Sequence, residues 1–135
     1  LKMVEIEQQQ LIMQLVSLQE EAKRIEATIQ DIDARAQEFQ DLKQSVEKLE
    51  DEQGKDILAP VGRGIFFKSE LKEKKLYVNV GSDIVVKKNP KQAAEIVGNQ
   101  IKELENLRDN LFSEMQKINL QMQGLVEKAE KSKSK

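Results

Sequence analysis

The side chains of this chain that could do chemistry are almost all of one kind. Twenty-four Asp and Glu and twenty-two Lys and Arg are spread over 135 residues, with no His and no Cys. Without histidine the commonest general base and metal ligand is missing. Without cysteine there is neither thiolate chemistry nor a disulfide framework. One segment resembles an anion cradle, VGRG at Val61 to Gly64. A phosphate loop, however, needs the spacing GxxxxGK[ST] at the opening of a helix, and these glycines lead into Ile65-Phe66-Phe67. The segment therefore reads as a turn. Lys87-Lys88 and the closing KSKSK could touch phosphates, but no aromatic stacking platform accompanies them. The carboxylates fall at helical spacing with no glycine-rich metal loop. The expectation is a protein with no catalysis, no cofactor, no metal and no nucleic-acid partner.

The elements that carry these charges are long helices. Val4, Leu11, Leu15, Leu18, Ala22, Ile25, Ile29, Ile32, Ala36 and Phe39 recur at alternating steps of three and four, with Gln8 the one gap. This is the a/d seam of a left-handed coiled coil. Leu42, Val46 and Leu49 follow one step early, which reads as a stammer, and Gly54 offers a stop. The second segment keeps one register through Ala94, Val97, Ile101, Leu104, Arg108, Leu111, Met115, Ile118, Met122, Leu125 and Ala129, and only Arg108 is polar. Asn89 as N-cap, Pro90 at N1 and Gln92 at N3 predict its start. Residues 1–53 carry thirteen acidic and six basic groups, residues 54–90 four and eight, so the first helix and the middle of the chain present opposite charge. No run of 18 apolar residues occurs, so no membrane partner is expected and the cytoplasm is the expected location.

Between the helices the period changes to two. LYVNV, Leu76 to Val80, places Leu76, Val78 and Val80 on one face and Tyr77 and Asn79 on the other. Phe67, Ser69 and Leu71 share a face of IFFKSEL, Ile84 and Val86 a face of IVVKK, and ILAPV at Ile57 to Val61 is a further strand that Pro60 confines to an edge. Four strands this short pair as two hairpins and cannot bury their faces alone. They predict an assembly surface, with Phe67, Leu71, Leu76, Val78, Val80, Ile84 and Val86 at the subunit interface. The predicted fold is mainly α with a small β insert: an antiparallel two-helix coiled coil joined by two β-hairpins that form an oligomerisation body. The segments are a helix at 1–53, the hairpins at 54–89, a helix at 90–130 and a disordered tail at 131–135.

Some apolar residues lie off the seam. On the first helix Met3, Ile6, Ile12, Met13 and Val16 qualify, and beyond residue 18 only Ala27 and Ala34; on the second, Phe112, Leu120 and Val126 do. Antiparallel helices would bring these sets together at the tip away from the strands. A seam has no use for them, and exposed apolar patches mark binding sites.

The whole layout resembles the alpha-class subunits of prefoldin. The matching segments are Leu58 to Gly62 (LAPVG), Val78 to Gly81 (VNVG) and KKNPKQAAE at Lys87 to Glu95, each flanked by coil. That resemblance implies a hetero-hexamer of two alpha-class and four beta-class subunits, a double β-barrel platform, and coiled-coil tentacles. It further implies that the tips hold unfolded client proteins and deliver them to a group II chaperonin without ATP. The alternative is a structural coiled-coil tether or a filament-forming prefoldin-like protein.

Overall fold

The two heptad segments fold as the helices their spacing predicts. The computed structural model describes residues 2–133 and runs α1 (Lys2–Lys48), a 3₁₀ turn (Leu49–Asp51), β1 (Asp56–Gly62), β2 (Ile65–Glu70), β3 (Leu76–Asn79), β4 (Val85–Lys88) and α2 (Pro90–Lys133). α2 thus stays helical through 131–133, where a disordered tail is expected from the sequence; residues 134 and 135 lie outside the described residues. Packing divides the chain into two units. One joins α1 up to Ala34 with α2 from Leu104, and the other holds residues 35–103.

In the first unit the seam is the core. Ile25, Ile29 and Ile118 are buried together, with Leu18, Ala22, Leu111, Met115 and Met122 packed against them. Each buried isoleucine contributes about 1.5–3 kcal/mol. The helices run antiparallel: Leu18 shares a groove with Leu125, while further along α1 Asp33 meets Arg108. Arg108, the one polar seam residue of α2, donates from Nε to Asp33 Oδ1 at 2.6 Å, and its guanidinium lies 4.5 Å from the centre of the Phe112 ring. Both partners of this pair are part-exposed. It therefore adds little stability. Its effect is to select which turns of the two helices face each other, as a single polar seam position does in coiled coils.

In the second unit Ala93, Ala94, Val97 and Ile101 of α2 are buried, and Ala36, Phe39, Val46 and Leu49 are half-buried. The stammer expected at Leu42 is absent. Leu42 is 46% exposed, and Lys43 takes the half-buried position instead. The lysine stem covers apolar surface beside Gly98, where a Cβ would lie 3.8 Å from Lys43 Cε, and its ammonium reaches the Glu47 carboxylate at 3.9 Å. The alternation of three and four thus runs on through 43 and 46, and the two successive steps of three come later, at 43, 46 and 49. At the start of α2 a reciprocal cap forms: Gln92 N–H donates to Asn89 Oδ1 at 2.7 Å, and Asn89 N–H donates to Gln92 Oε1 at 3.1 Å. Such a cap contributes about 1 kcal/mol and fixes where the helix begins. Pro90, with no N–H to satisfy, is fully buried at the first helical position.

The strands form two separate antiparallel hairpins, β1 with β2 and β3 with β4. In the first, Ile57 pairs with Ser69, Ala59 with Phe67 and Pro60 with Phe66, and the register shifts between Pro60 and Gly62 so that Val61 bulges out. VGRG is the turn of this hairpin. Gly62 and Gly64 take φ of +139° and +79°, values that glycine reaches without a Cβ clash, and Arg63 between them sits in the left-handed region at +49°. In the second hairpin Leu76 pairs with Lys88 and Val78 with Val86. Beyond the ladder Val80 N–H donates to the Ile84 carbonyl at 3.0 Å. Asn79 Oδ1 accepts from Gly81 N–H at 2.9 Å, which tightens the turn.

Candidate functional site

Two apolar surfaces stand out, one in each unit. In the first, Met3, Ile6, Ile12, Met13 and Val16 of α1 and Leu120 and Val126 of α2 are all exposed, Met13 to 71% and Leu120 to 68%. The seam beneath needs none of them, since Leu11, Leu15 and Leu18 already point into it. Ile12 and Val126 line one groove of about 250 Å³ together with Leu11, Leu15, Leu125, Ala129 and Glu130. On another side Gln14, Ser17, Leu18, Gln121, Gly124, Leu125 and Lys128 line a groove of about 480 Å³. Gly124 sits in the helix interior, where glycine costs about 1 kcal/mol relative to alanine.

Phe112 does not join this group. Its neighbour is Arg108, whose own partner Asp33 lies on α1 beyond the buried Ile25 and Ile29, at the other end of this unit from residues 3–16. The pairing of Arg108 with Asp33 marks the level of Phe112, and it is visible only once both helices are placed.

The hairpins carry the second surface. Cross-strand pairing sets Leu76, Val78 and Val86 on one face, continued by Val80 and Ile84 past the ladder. The first three are half-buried, while Val80 and Ile84 are exposed. Tyr77 on the opposite face is exposed at 68%, with the Lys87 ammonium 5.6 Å from its ring centre. Lys87 also pairs with Glu73 at 3.0 Å, and that hydrogen bond and charge hold the ammonium above the usual lysine pKa. In the first hairpin Phe67 is exposed and Leu71 half-buried.

Sequence reasoning passes over one set here. Leu58, Ile65 and Phe66 are exposed, and pairing puts Leu58 and Phe66 on the face opposite Phe67. Toward its turn the first hairpin is apolar on both sides, while Asp56, Lys68 and Glu70 occupy the base of the face that Leu58 and Phe66 share. The signal was present in the unbroken run Ile65-Phe66-Phe67, since strands covered on both faces read as continuous rather than alternating apolar runs.

Among the described residues no group of three or more acidic side chains is placed to hold a metal ion, and no helix is long and apolar enough to cross a membrane. Two helices in antiparallel contact, joined by two hairpins with apolar faces, define a coiled-coil protein that displays apolar surfaces. Residues 18–134 match the family model for the prefoldin subunit. The chain belongs to the prefoldin family, a family of chaperones.

Within it the kinship is with the alpha-class subunits. The chain is similar to the prefoldin subunit alpha of Archaeoglobus fulgidus, 30% identical over 121 residues and covering 88% of each chain. It is also similar to the prefoldin subunit alpha of Methanobrevibacter smithii, 32% identical over 75% of this chain and 65% of that one, just under two thirds of the relative's length. Among solved structures it resembles a filamentous PFD from Methanocaldococcus jannaschii seen by cryo-electron microscopy. The TM-score is 0.53 at 26% identity, over 90% of this chain and 96% of that one.

Proposed function

We propose that this chain is the alpha-class subunit of a cytoplasmic hetero-hexamer of two alpha-class and four beta-class subunits. Its hairpins join a β-barrel platform, and its coil captures unfolded polypeptides and passes them to a group II chaperonin without nucleotide. The observation that carries the reading is the exposure of Ile6, Ile12, Met13, Val16, Leu120 and Val126 around a seam that is already satisfied. Apolar side chains left in water are available to a client that has lost its own core. Methionine adds adaptability, because its flexible thioether fits surfaces of varied shape. Weak contacts on several coils of one assembly act together through effective concentration, so no single coil has to bind tightly.

The test uses the chain assembled with an archaeal beta-class subunit. A chemically unfolded enzyme is diluted into this complex without ATP, and light scattering follows its aggregation. Scattering should be suppressed at near-equimolar complex. An assembled complex that leaves scattering unchanged is a tether, not a holdase.

A second reading is favoured by one observation, the similarity to a filamentous prefoldin. There the apolar hairpin faces would join copies of this chain end on end. Electron micrographs of the chain alone separate the two readings: long filaments support the second, and their absence supports the first.

A further inference from the structure

Charge is distributed unevenly along this chain, and the uneven region coincides with a groove. About a third of all residues are Asp, Glu, Lys or Arg, yet none occurs from Gln8 to Gln19 on α1 or from Ile118 to Val126 on α2. The antiparallel pairing sets these two stretches side by side, since Leu18 and Leu125 floor the same groove. Its rim is Gln14, Ser17 and Gln121, neutral groups that can both donate and accept hydrogen bonds. Lys128 is the one charged residue on its wall, and Glu7 shares the adjoining depression with it.

Gly124 supplies an independent observation. It is an ordinary helical glycine with no positive φ, and a Cβ built on it meets no atom within 4 Å. The fold has no use for glycine there, and glycine weakens a helix interior. Glycine is useful where another molecule must approach the backbone closely.

We propose that this groove seats an extended, uncharged stretch of polypeptide. An apolar side chain of the stretch passes over Gly124 onto Leu18 and Leu125, and the Gln14 and Gln121 amides bond its backbone. This rests on the reading of the coil as a client-binding element and adds what it selects: backbone and apolar side chains, not charge. Amide rims serve any sequence, because every residue offers the same N–H and C=O.

The test uses the complex with a beta-class subunit and a fluorescent peptide of Leu, Val, Ser and Gly, followed by anisotropy. The Gly124→Leu variant should assemble, with a raised unfolding midpoint because leucine is the better helix former. It should bind the peptide about tenfold more weakly, because one buried side chain is lost from the contact. Gly124→Ala should fall between the two. Raising salt from about 50 to 500 mM should leave the wild-type affinity unchanged, since no charge pair is there to be screened. Undiminished binding by Gly124→Leu, or wild-type binding that collapses with salt, overturns the groove assignment while protection of an unfolded enzyme leaves the holdase reading standing. A wild-type complex that neither binds the peptide nor protects the enzyme overturns both.

Discussion

Replacing Ile6, Ile12, Met13 and Val16 together with serine is expected to leave the oligomer intact and to abolish most suppression of aggregation. All four side chains are exposed, so their removal opens no cavity. The seam keeps Leu11, Leu15, Leu18 and the isoleucine core beyond them. Serine is close to isoleucine and valine as a helix former and weaker than methionine by a few tenths of a kcal/mol, which a helix held by tertiary packing tolerates. The loss at the client is much larger. Each apolar side chain buried against a client contributes roughly 1.5–3 kcal/mol, and several coils acting on one client compound the difference. Gel filtration and light scattering on the same preparation are the measurement. Full protection by a correctly assembled quadruple variant moves client binding to another part of the molecule.

The second large effect is expected at the hairpins. Val78→Asp with Val80→Asp should convert the oligomer into monomers of undiminished helicity. Val78 lies opposite Val86, and Val80 continues the same face, so two carboxylates would enter the surface proposed to bury against neighbouring subunits. An unpaired buried charge costs several kcal/mol, more than the apolar contact it replaces had supplied. The helices have cores of their own, in Ile25, Ile29 and Ile118 of one unit and Ala94, Val97 and Ile101 of the other, and should not depend on that surface. Sedimentation velocity with far-ultraviolet circular dichroism reads both quantities. An unchanged oligomer would show that the strands do not drive assembly.

Where the sequence was legible, one local rule acted without competition. The α2 seam from Ala94 to Ala129 is regular, and every position in it is buried or half-buried. The Asn89 cap is specified by three adjacent residues and forms with both of its hydrogen bonds. VGRG carries its turn in two glycines. Legibility fails where a residue's type conceals its role. Lys43 reads as polar and Leu42 as core, yet a lysine stem covers apolar surface as well as a short aliphatic chain does, and Gly98 leaves it room. The level of Phe112 depends on which turns of α1 and α2 meet, and the Asp33–Arg108 pair discloses that only once both helices are placed. The Val61 bulge arises from pairing register, which a strand-by-strand reading of alternation does not contain, whereas the second apolar face at Leu58 and Phe66 is written in the unbroken run Ile65-Phe66-Phe67.

In the proposed function, clients are held by the apolar residues around the coil of the first unit. Site-specific photo-crosslinking to an unfolded protein tests it most directly. One crosslinker at a time would replace Met13, Gln121, Gln30 or Tyr77 in the assembled complex. Met13 and Gln121 border the exposed apolar residues and the Gly124 groove, Gln30 is an exposed polar site further along α1, and Tyr77 stands on a hairpin. Strong client labelling is expected from positions 13 and 121, with only background from 30 and 77. Labelling from 30 or 77 that equals that from 13 would contradict this reading.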